Sequence, residues 1–280
     1  MKLIRFGEAG KEKPGVLINN TCYDVSAWVQ DYDEQFFENA GLAGLEQVIS
    51  ANSLPVAEVK RFGCPVKKPS KIVCIGLNYL DHAKETSAAI PAEPIIFMKS
   101  TTAITGPDDD IILPRDSRKT DWEVELAIVI DRKASYVEEA YAMNYIAGYC
   151  LHNDLSEREF QLERGGTWDK GKGCDTFAPI GPFIATKDEI ADVNNLSMWL
   201  KVNGQIMQNG STANLIFKIP SLISYVSRFM TLLPGDIIST GTPAGVGLGM
   251  KPQRYLKPGD EVESGIDGLG QSKQHVKAFR

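Results

Sequence analysis

Apolar positions along residues 1 to 70 come in short runs, "KLIRF" and "GVLINNTCYDVS", which read as strands, followed by a weak helix in "FFENAGLAGLEQVISA". The segment ends in "FGCPVKKPSK", where Pro65 and Pro69 break any regular element and mark a boundary near residue 70. Beyond it a buried strand, "KIVCIGLNY", runs into a short polar helix, "LDHAKET". Strands are then expected at "PIIFMKS", "AITG", "TDWEVELAIVI", "YIAGYCLHND", "FAPIGPFIA", "LSMWLKVNGQIMQNGST", "DIISTG" and "DEVESGIDGLG". Helices are fewer, around 156–164, 187–191, 138–142 and 219–230. Asn203-Gly204 between alternating runs is a hairpin signal. Strands and helices do not alternate regularly, so the pattern predicts an α+β fold with a large, mostly antiparallel or mixed sheet.

"TDWEVELAIVI" departs from the other strands. Residues two apart on a strand share a face at a spacing of roughly 6.5 to 7 Å. Asp121, Glu123 and Glu125 therefore lie together ahead of Ala127 and Val129, while Trp122, Val124, Leu126, Ile128 and Ile130 form an apolar opposite face. Burying neighbouring carboxylates without compensation costs several kcal/mol or shifts their pKa values. A divalent cation is one compensation; the commoner reading of such a pattern is an edge strand with a wet acidic face.

Charge and composition narrow the chemistry. Thirty basic and 36 acidic residues give a net charge of −6 with no basic run, so neither nucleic acid nor an anionic membrane is an expected partner. No stretch approaches 18 continuous apolar residues and "MKLIRFGEAGKEKPG" lacks a signal-peptide core, which points to the cytoplasm. Cys22, Cys64, Cys74, Cys150 and Cys174 show no CxxC spacing and read as reduced, mostly buried thiols. With only His82, His152 and His275, any metal must be held mainly by oxygen. "GTPAGVGLG" follows a strand but runs into Met250-Lys251-Pro252 instead of a helix, and "DKGKGCD" lacks P-loop spacing; neither is a nucleotide site, though both allow close backbone approach to a small ligand.

Asp154 ends "YIAGYCLHND". Ser156 and Glu159 have capping-box spacing, which places Asp154 just before a helix carrying Arg158 and Gln161 on one face. Alone, Asp154 reads as a turn or capping residue, and Arg158 and Gln161 as a solvated surface.

From "GLNYLDHAKE", "EPIIFMKSTTAITG", "DWEVELAIVI", "HNDLSEREFQ", "WDKGKGCDTFAPIGP", "KVNGQIMQNGST" and "GDIISTGTPAGVG", in that order, residues from about 71 to the C-terminus resemble the fumarylacetoacetate hydrolase family. The resemblance implies a mixed β-sandwich roll over 71–280, a small N-terminal α+β domain over 1–70, and a homodimer. It implies Mg²⁺ or Mn²⁺ held by Glu123, Glu125 and Asp154, with no ligand role for Asp121. His82, three residues from Glu85 on the short helix after Tyr79, matches the family's general base, and Lys172 its active-site lysine. Thr242 matches a substrate-carboxylate contact; Arg158 and Gln161 match residues near substrate, and Tyr79 is expected to bind it. Leu77 departs from some acylpyruvate-cleaving relatives, which carry Arg there. Three carboxylates without histidine suit a hard cation that grips a 2-oxo acid and acts as a Lewis acid on a developing enolate.

The activity so implied is hydrolytic C–C cleavage of an acylpyruvate or a 2,4-diketo-3-deoxy sugar acid. Oxaloacetate decarboxylation, isomerisation of 2-hydroxyhepta-2,4-dienedioate, ureidoglycolate lysis and a non-enzymatic dicarboxylate-binding role are the alternatives.

Overall fold

A computed structural model describes residues 1–85 and 89–279. Its core is a ten-stranded mixed sheet. In spatial order the strands are Thr21–Asp24, Lys13–Ile18, Lys2–Phe6, Ile184–Thr186, Ile146–Asn153, Val124–Ile130, Ile237–Ser239, Ile72–Gly76 and Ile95–Lys99, with Phe62–Gly63 also paired to Lys2–Phe6. Only Ile237–Ser239 and Ile72–Gly76 run parallel in this sheet. Val124–Ile130 and Ile146–Asn153 lie at the sheet centre and are buried at every position, Glu125, His152 and Asn153 included.

A second sheet of five strands, Gln205–Ser211, Ser197–Val202, Glu261–Ile266, Gly270–Ala278 and Ile111–Leu113, packs against the first. The pleat fixes which side of the acidic strand looks at it. Val124 pairs with Asn153, whose side-chain amide reaches Gln274 of the second sheet, so the even positions face the inter-sheet core. Glu125 pairs with His152 on the opposite face. The α+β sandwich is thus as expected, and Asn203 and Gly204 take φ values of 52° and 75° at the hairpin tip, as the Asn-Gly signal requires.

Several local expectations differ. "TDWEVELAIVI" is two strands, Thr120–Asp121 and Val124–Ile130, because Thr120–Asp121 leaves the main sheet to pair with Ser156–Glu157. The helix expected over 156–164 is that short strand followed by a π-helical turn, Glu159–Glu163. Its capping box does not form: Ser156 Oγ donates to the Asp154 carbonyl at 3.0 Å, and the Glu159 N–H is taken by Glu157. The helix in "LDHAKET" spans Leu80–Glu85, with Thr86 outside the described residues. Lys2–Phe6, which precedes the boundary expected near residue 70, pairs with Ile184–Thr186 of the large sheet. Among the described residues no helix is long and apolar enough to cross a membrane.

Candidate metal and substrate site

Residues 120 to 130 are buried throughout, which removes the wet-edge explanation for their carboxylates. Glu123 lies in the gap between the two short strands. Its N–H donates to Asn153 Oδ1 at 3.0 Å, and its carbonyl accepts from Asp154 N–H at 2.9 Å. This stitch brings Asp154, at the end of Ile146–Asn153, beside the acidic strand. Glu123, Glu125 and Asp154, 5, 2 and 0 % exposed, each present a carboxylate oxygen within 4.8 Å of the others.

Two of the three are paired with cations. Lys172 Nζ reaches Glu123 at 2.5 Å and Asp154 at 2.8 Å; Lys99 Nζ reaches Asp154 at 2.6 Å; Arg158 reaches Glu123 at 2.7 Å. Burial pushes Asp154 up, but Lys172 and Lys99 outweigh it and hold the group well below the usual carboxylate range; Lys172 and Arg158 do the same, less strongly, for Glu123. Glu125 accepts from Ser239 Oγ at 2.5 Å and from the Gly241 N–H at 2.9 Å, and among the described residues no cation pairs with it. Burial, then Asp154 and Glu123, push it well above the ordinary range. Three buried carboxylates with no histidine or cysteine in their cluster among the described residues, one of them lacking a cation partner there, fit a hard divalent ion.

His82 lines the same pocket, with Nδ1 3.4 Å from Glu85 Oε2. The glycine-rich segment places both ends of this arrangement. Its backbone N–H groups grip protein carboxylates: Gly241 holds Glu125, Gly245 holds Glu85 at 3.0 Å, and Gly247 and Leu248 hold Asp121 at 2.6 and 3.0 Å. Gly245 sits at φ +106°, and a Cβ there would lie 1.9 Å from the Met207 carbonyl, so no other residue fits.

The pocket, about 190 Å³, gathers His82, Glu123, Glu125, Arg158, Gln161, Lys172 and Thr242, and Asp154 lies behind it on Lys172. Lys172 ends a short helix, Asp169–Lys172, and is buried. Arg158 spends its donors on Asp121, Glu123 and Gln161. Thr242 lines the pocket, but its hydroxyl donates to the Val124 carbonyl at 2.9 Å and accepts from Gln208. Tyr79 is not brought to the pocket; it is a fully buried ring whose hydroxyl meets Met198 sulfur at 3.1 Å.

Sequence reasoning passed over Lys99 and set Asp121 aside as no ligand; both are buried and both belong to the ion-pair network. It also passed over His152. Ser239 donates to Glu125, so the His152 Nδ1, 2.6 Å from Ser239 Oγ, carries the proton and donates to it. Burial holds this imidazole neutral, with its pKa lowered to about 3.

A family profile described as fumarylacetoacetate hydrolase C-terminal matches residues 71–277. A Burkholderia lata protein, named no further than an inferred hydrolase, is 49 % identical over 100 % of both chains. Among solved structures, fumarylacetoacetate hydrolase from Exiguobacterium antarcticum is 34 % identical with a TM-score of 0.84, over 100 % of each chain. Maleylpyruvate hydrolase from Sphingobium sp. SYK-6, in complex with manganese(II) and pyruvate, is 30 % identical with a TM-score of 0.81, again over 100 % of each.

Proposed function

The chain belongs to the fumarylacetoacetate hydrolase family, and from that premise we propose that it is a divalent-metal-dependent hydrolase that cleaves a carbon–carbon bond in a 2,4-diketo acid to release a pyruvate-type product. The observation that carries this reading is that Glu123, Glu125 and His82 open into one pocket with Asp154 adjoining. Mg²⁺ or Mn²⁺ on Glu123, Glu125 and Asp154 would supply Lewis acidity toward the 2-oxo carboxylate end of the substrate. The manganese and pyruvate in the Sphingobium neighbour support that choice of ion and product.

The protein's own groups supply the rest. Glu85, fixed by the Gly245 N–H, orients His82, and the imidazole takes a proton from water. The hydroxide adds to the C4 carbonyl; the C3–C4 bond then breaks, its electron pair remaining on C3 as the pyruvate enolate. A proton delivered to C3 completes pyruvate, and the acyl half leaves as a carboxylic acid. Lys172 and Lys99 keep Asp154 ionised, and Lys172 and Arg158 do so for Glu123. Assembly as a homodimer in the cytoplasm belongs to the same proposal.

The test is pyruvate release from acetylpyruvate by Mg²⁺- or Mn²⁺-loaded protein, with oxaloacetate, 2-hydroxyhepta-2,4-dienedioate and ureidoglycolate alongside. Glu123→Ala is expected to abolish metal binding by calorimetry. His82→Ala is expected to leave metal affinity near normal and lower the rate by about 10² to 10⁴. Equal loss of metal in both variants, or no turnover of any 2,4-diketo acid, would remove the reading.

A further inference from the structure

The proposed reaction makes no use of His152, although the chain keeps this imidazole fully buried at the centre of the large sheet. His152, Ser239 and Glu125 come from three adjacent strands and are 0, 0 and 2 % exposed. His152 lies opposite Glu125 on one side of Val124–Ile130, and Ser239 lies opposite Ala127 on the other. Glu125 and Ala127 share a face of that strand. The 2.6 Å bond between His152 Nδ1 and Ser239 Oγ therefore crosses the strand between them, where the small Ala127 leaves room. Neither His152 nor Ser239 lines the pocket, whereas Glu125 does.

The donors in this chain of groups point one way. An ionised carboxylate only accepts, so the single hydroxyl proton of Ser239 goes to Glu125 Oε2, at 2.5 Å, and the Ser239 oxygen accepts from His152 Nδ1–H. The other tautomer would take the Ser239 proton and leave Oε2 with the Gly241 N–H alone. Oε2 thus has two donors, while no donor among the described residues reaches Oε1, which remains for an ion. The same tautomer makes Nε2 an acceptor, and Nε2 is buried with no hydrogen-bond partner among the described residues. Buried polar atoms without partners are rare, because an apolar side chain of similar shape would avoid the loss. What the imidazole supplies, and an apolar side chain would not, is the Nδ1–H directed at Ser239.

We propose that His152 is a positioning residue for the metal site, acting through the Ser239 hydroxyl to fix Glu125 Oε2 and keep Oε1 free for the ion. This rests on the metal reading of Glu123, Glu125 and Asp154, and the experiment separates the two. Mn²⁺ is titrated into the full-length protein and its variants, with free ion read from its electron paramagnetic resonance signal, so no turnover is needed. Ser239→Ala is expected to weaken binding about 10- to 100-fold, as loss of a ligand's outer partner does, and His152→Leu at least about fivefold. Asn at this position puts an amide N–H where Nδ1–H stood but leaves a gap in place of the ring, while Leu fills the volume and offers no donor. His152→Asn is therefore expected to bind within about threefold of the parent even where its urea midpoint falls, and His152→Leu to bind worse even where its midpoint holds. Because the two residues act in series, the double variant His152→Leu, Ser239→Ala is expected to bind no more weakly than Ser239→Ala alone. Affinity that follows the urea midpoint, with Leu binding at least as well as Asn, overturns the proposal. Ser239→Ala binding within about twofold of the parent overturns it too, whether or not His152→Leu folds. Failure of the parent to bind Mn²⁺, or Glu123→Ala binding it as well as the parent, overturns the metal reading itself and the proposal with it.

Discussion

Four backbone and side-chain groups converge on the carboxylate of Asp121, a residue that does not line the pocket: Arg158 Nε at 2.9 Å, Gly247 N–H at 2.6 Å, Leu248 N–H at 3.0 Å and Trp122 N–H at 2.9 Å. Asp121 thereby holds both the arginine that pairs with Glu123 and the loop whose Gly245 N–H anchors Glu85. Asp121→Asn keeps the shape but turns an NH₂ toward a donor and removes a buried charge from Arg158. A loss of about 3 to 5 kcal/mol is expected in urea unfolding, as for breaking a buried ion pair. A loss below about 0.5 kcal/mol would show that Glu123 alone compensates the guanidinium. At this scale the two-residue period placed Glu123 and Glu125 on one face, while Asp154 was singled out only through the resemblance to the family. The sequence could not make Asp121's role legible, because its partners come from residues 158 and 247, far along the chain. Lys99 was missed for the same reason: it ends the strand "PIIFMKS", and its partner, Asp154, lies 55 residues further along the chain. Tyr79 went the other way, its hydroxyl being satisfied by Met198 in the core.

Among the elements, the segment from Gly241 to Gly249 does the work that helices and strands do elsewhere, by presenting N–H groups to Glu125, Glu85 and Asp121. Gly245→Ala must move this segment, because its Cβ would meet backbone at 1.9 Å. Glu85 then loses its anchor and His82 its orientation. The expected result is a fall in pyruvate release on the order of 10², within the range of lost general-base catalysis. Gly204→Ala is the control: it also has positive φ, at 75°, but nothing lies within 4 Å of its Cβ, so it costs about 1 kcal/mol of stability and leaves the rate alone. A Gly245→Ala rate within twofold of the parent would mean that the loop does not hold the dyad. Glycine spacing showed that backbone approaches something here, and the structure identifies it as the protein's own acids. Elsewhere the pattern was too weak to read. The strand Gly270–Ala278 turns Ser272 and Gln274 inward beside Val276, so it lacks apolar alternation. Ser156–Glu157 looked like a helix start because "SEREF" has capping-box spacing, and its pairing with Thr120–Asp121 overrode that local signal.

Continuity of the large sheet makes the N-terminal residues part of the molecule's main hydrogen-bonded layer. Lys2–Phe6 bonds Ile184–Thr186, and Arg61 ties three parts of the chain together, reaching the Gly7 carbonyl at 3.0 Å, Glu12 at 2.9 Å and Asp109 at 2.6 Å. We therefore expect a single transition in urea, reported alike by far-ultraviolet dichroism and tryptophan fluorescence; two separated transitions would show that the domain expected over residues 1–70 unfolds independently. The Arg61 junction also gives the molecule an acid-sensitive contact. Burial raises both Asp109 and Glu12, but hydrogen bonds led by Arg61 outweigh it and hold both below their ordinary values. A carboxyl lowered in the folded state contributes stability that is present above its unfolded value, near pH 4, and fades as pH falls through the lower folded value. Asp109, about a quarter exposed, is partly screened, so Asp109→Asn is expected to cost about 1 to 2 kcal/mol at pH 7. The gap between variant and parent should shrink steadily below about pH 4, where the parent's carboxylate is itself being protonated. A gap that stays constant down to pH 3 would place the effect in shape and packing, and would separate the acid sensitivity of the fold from this junction.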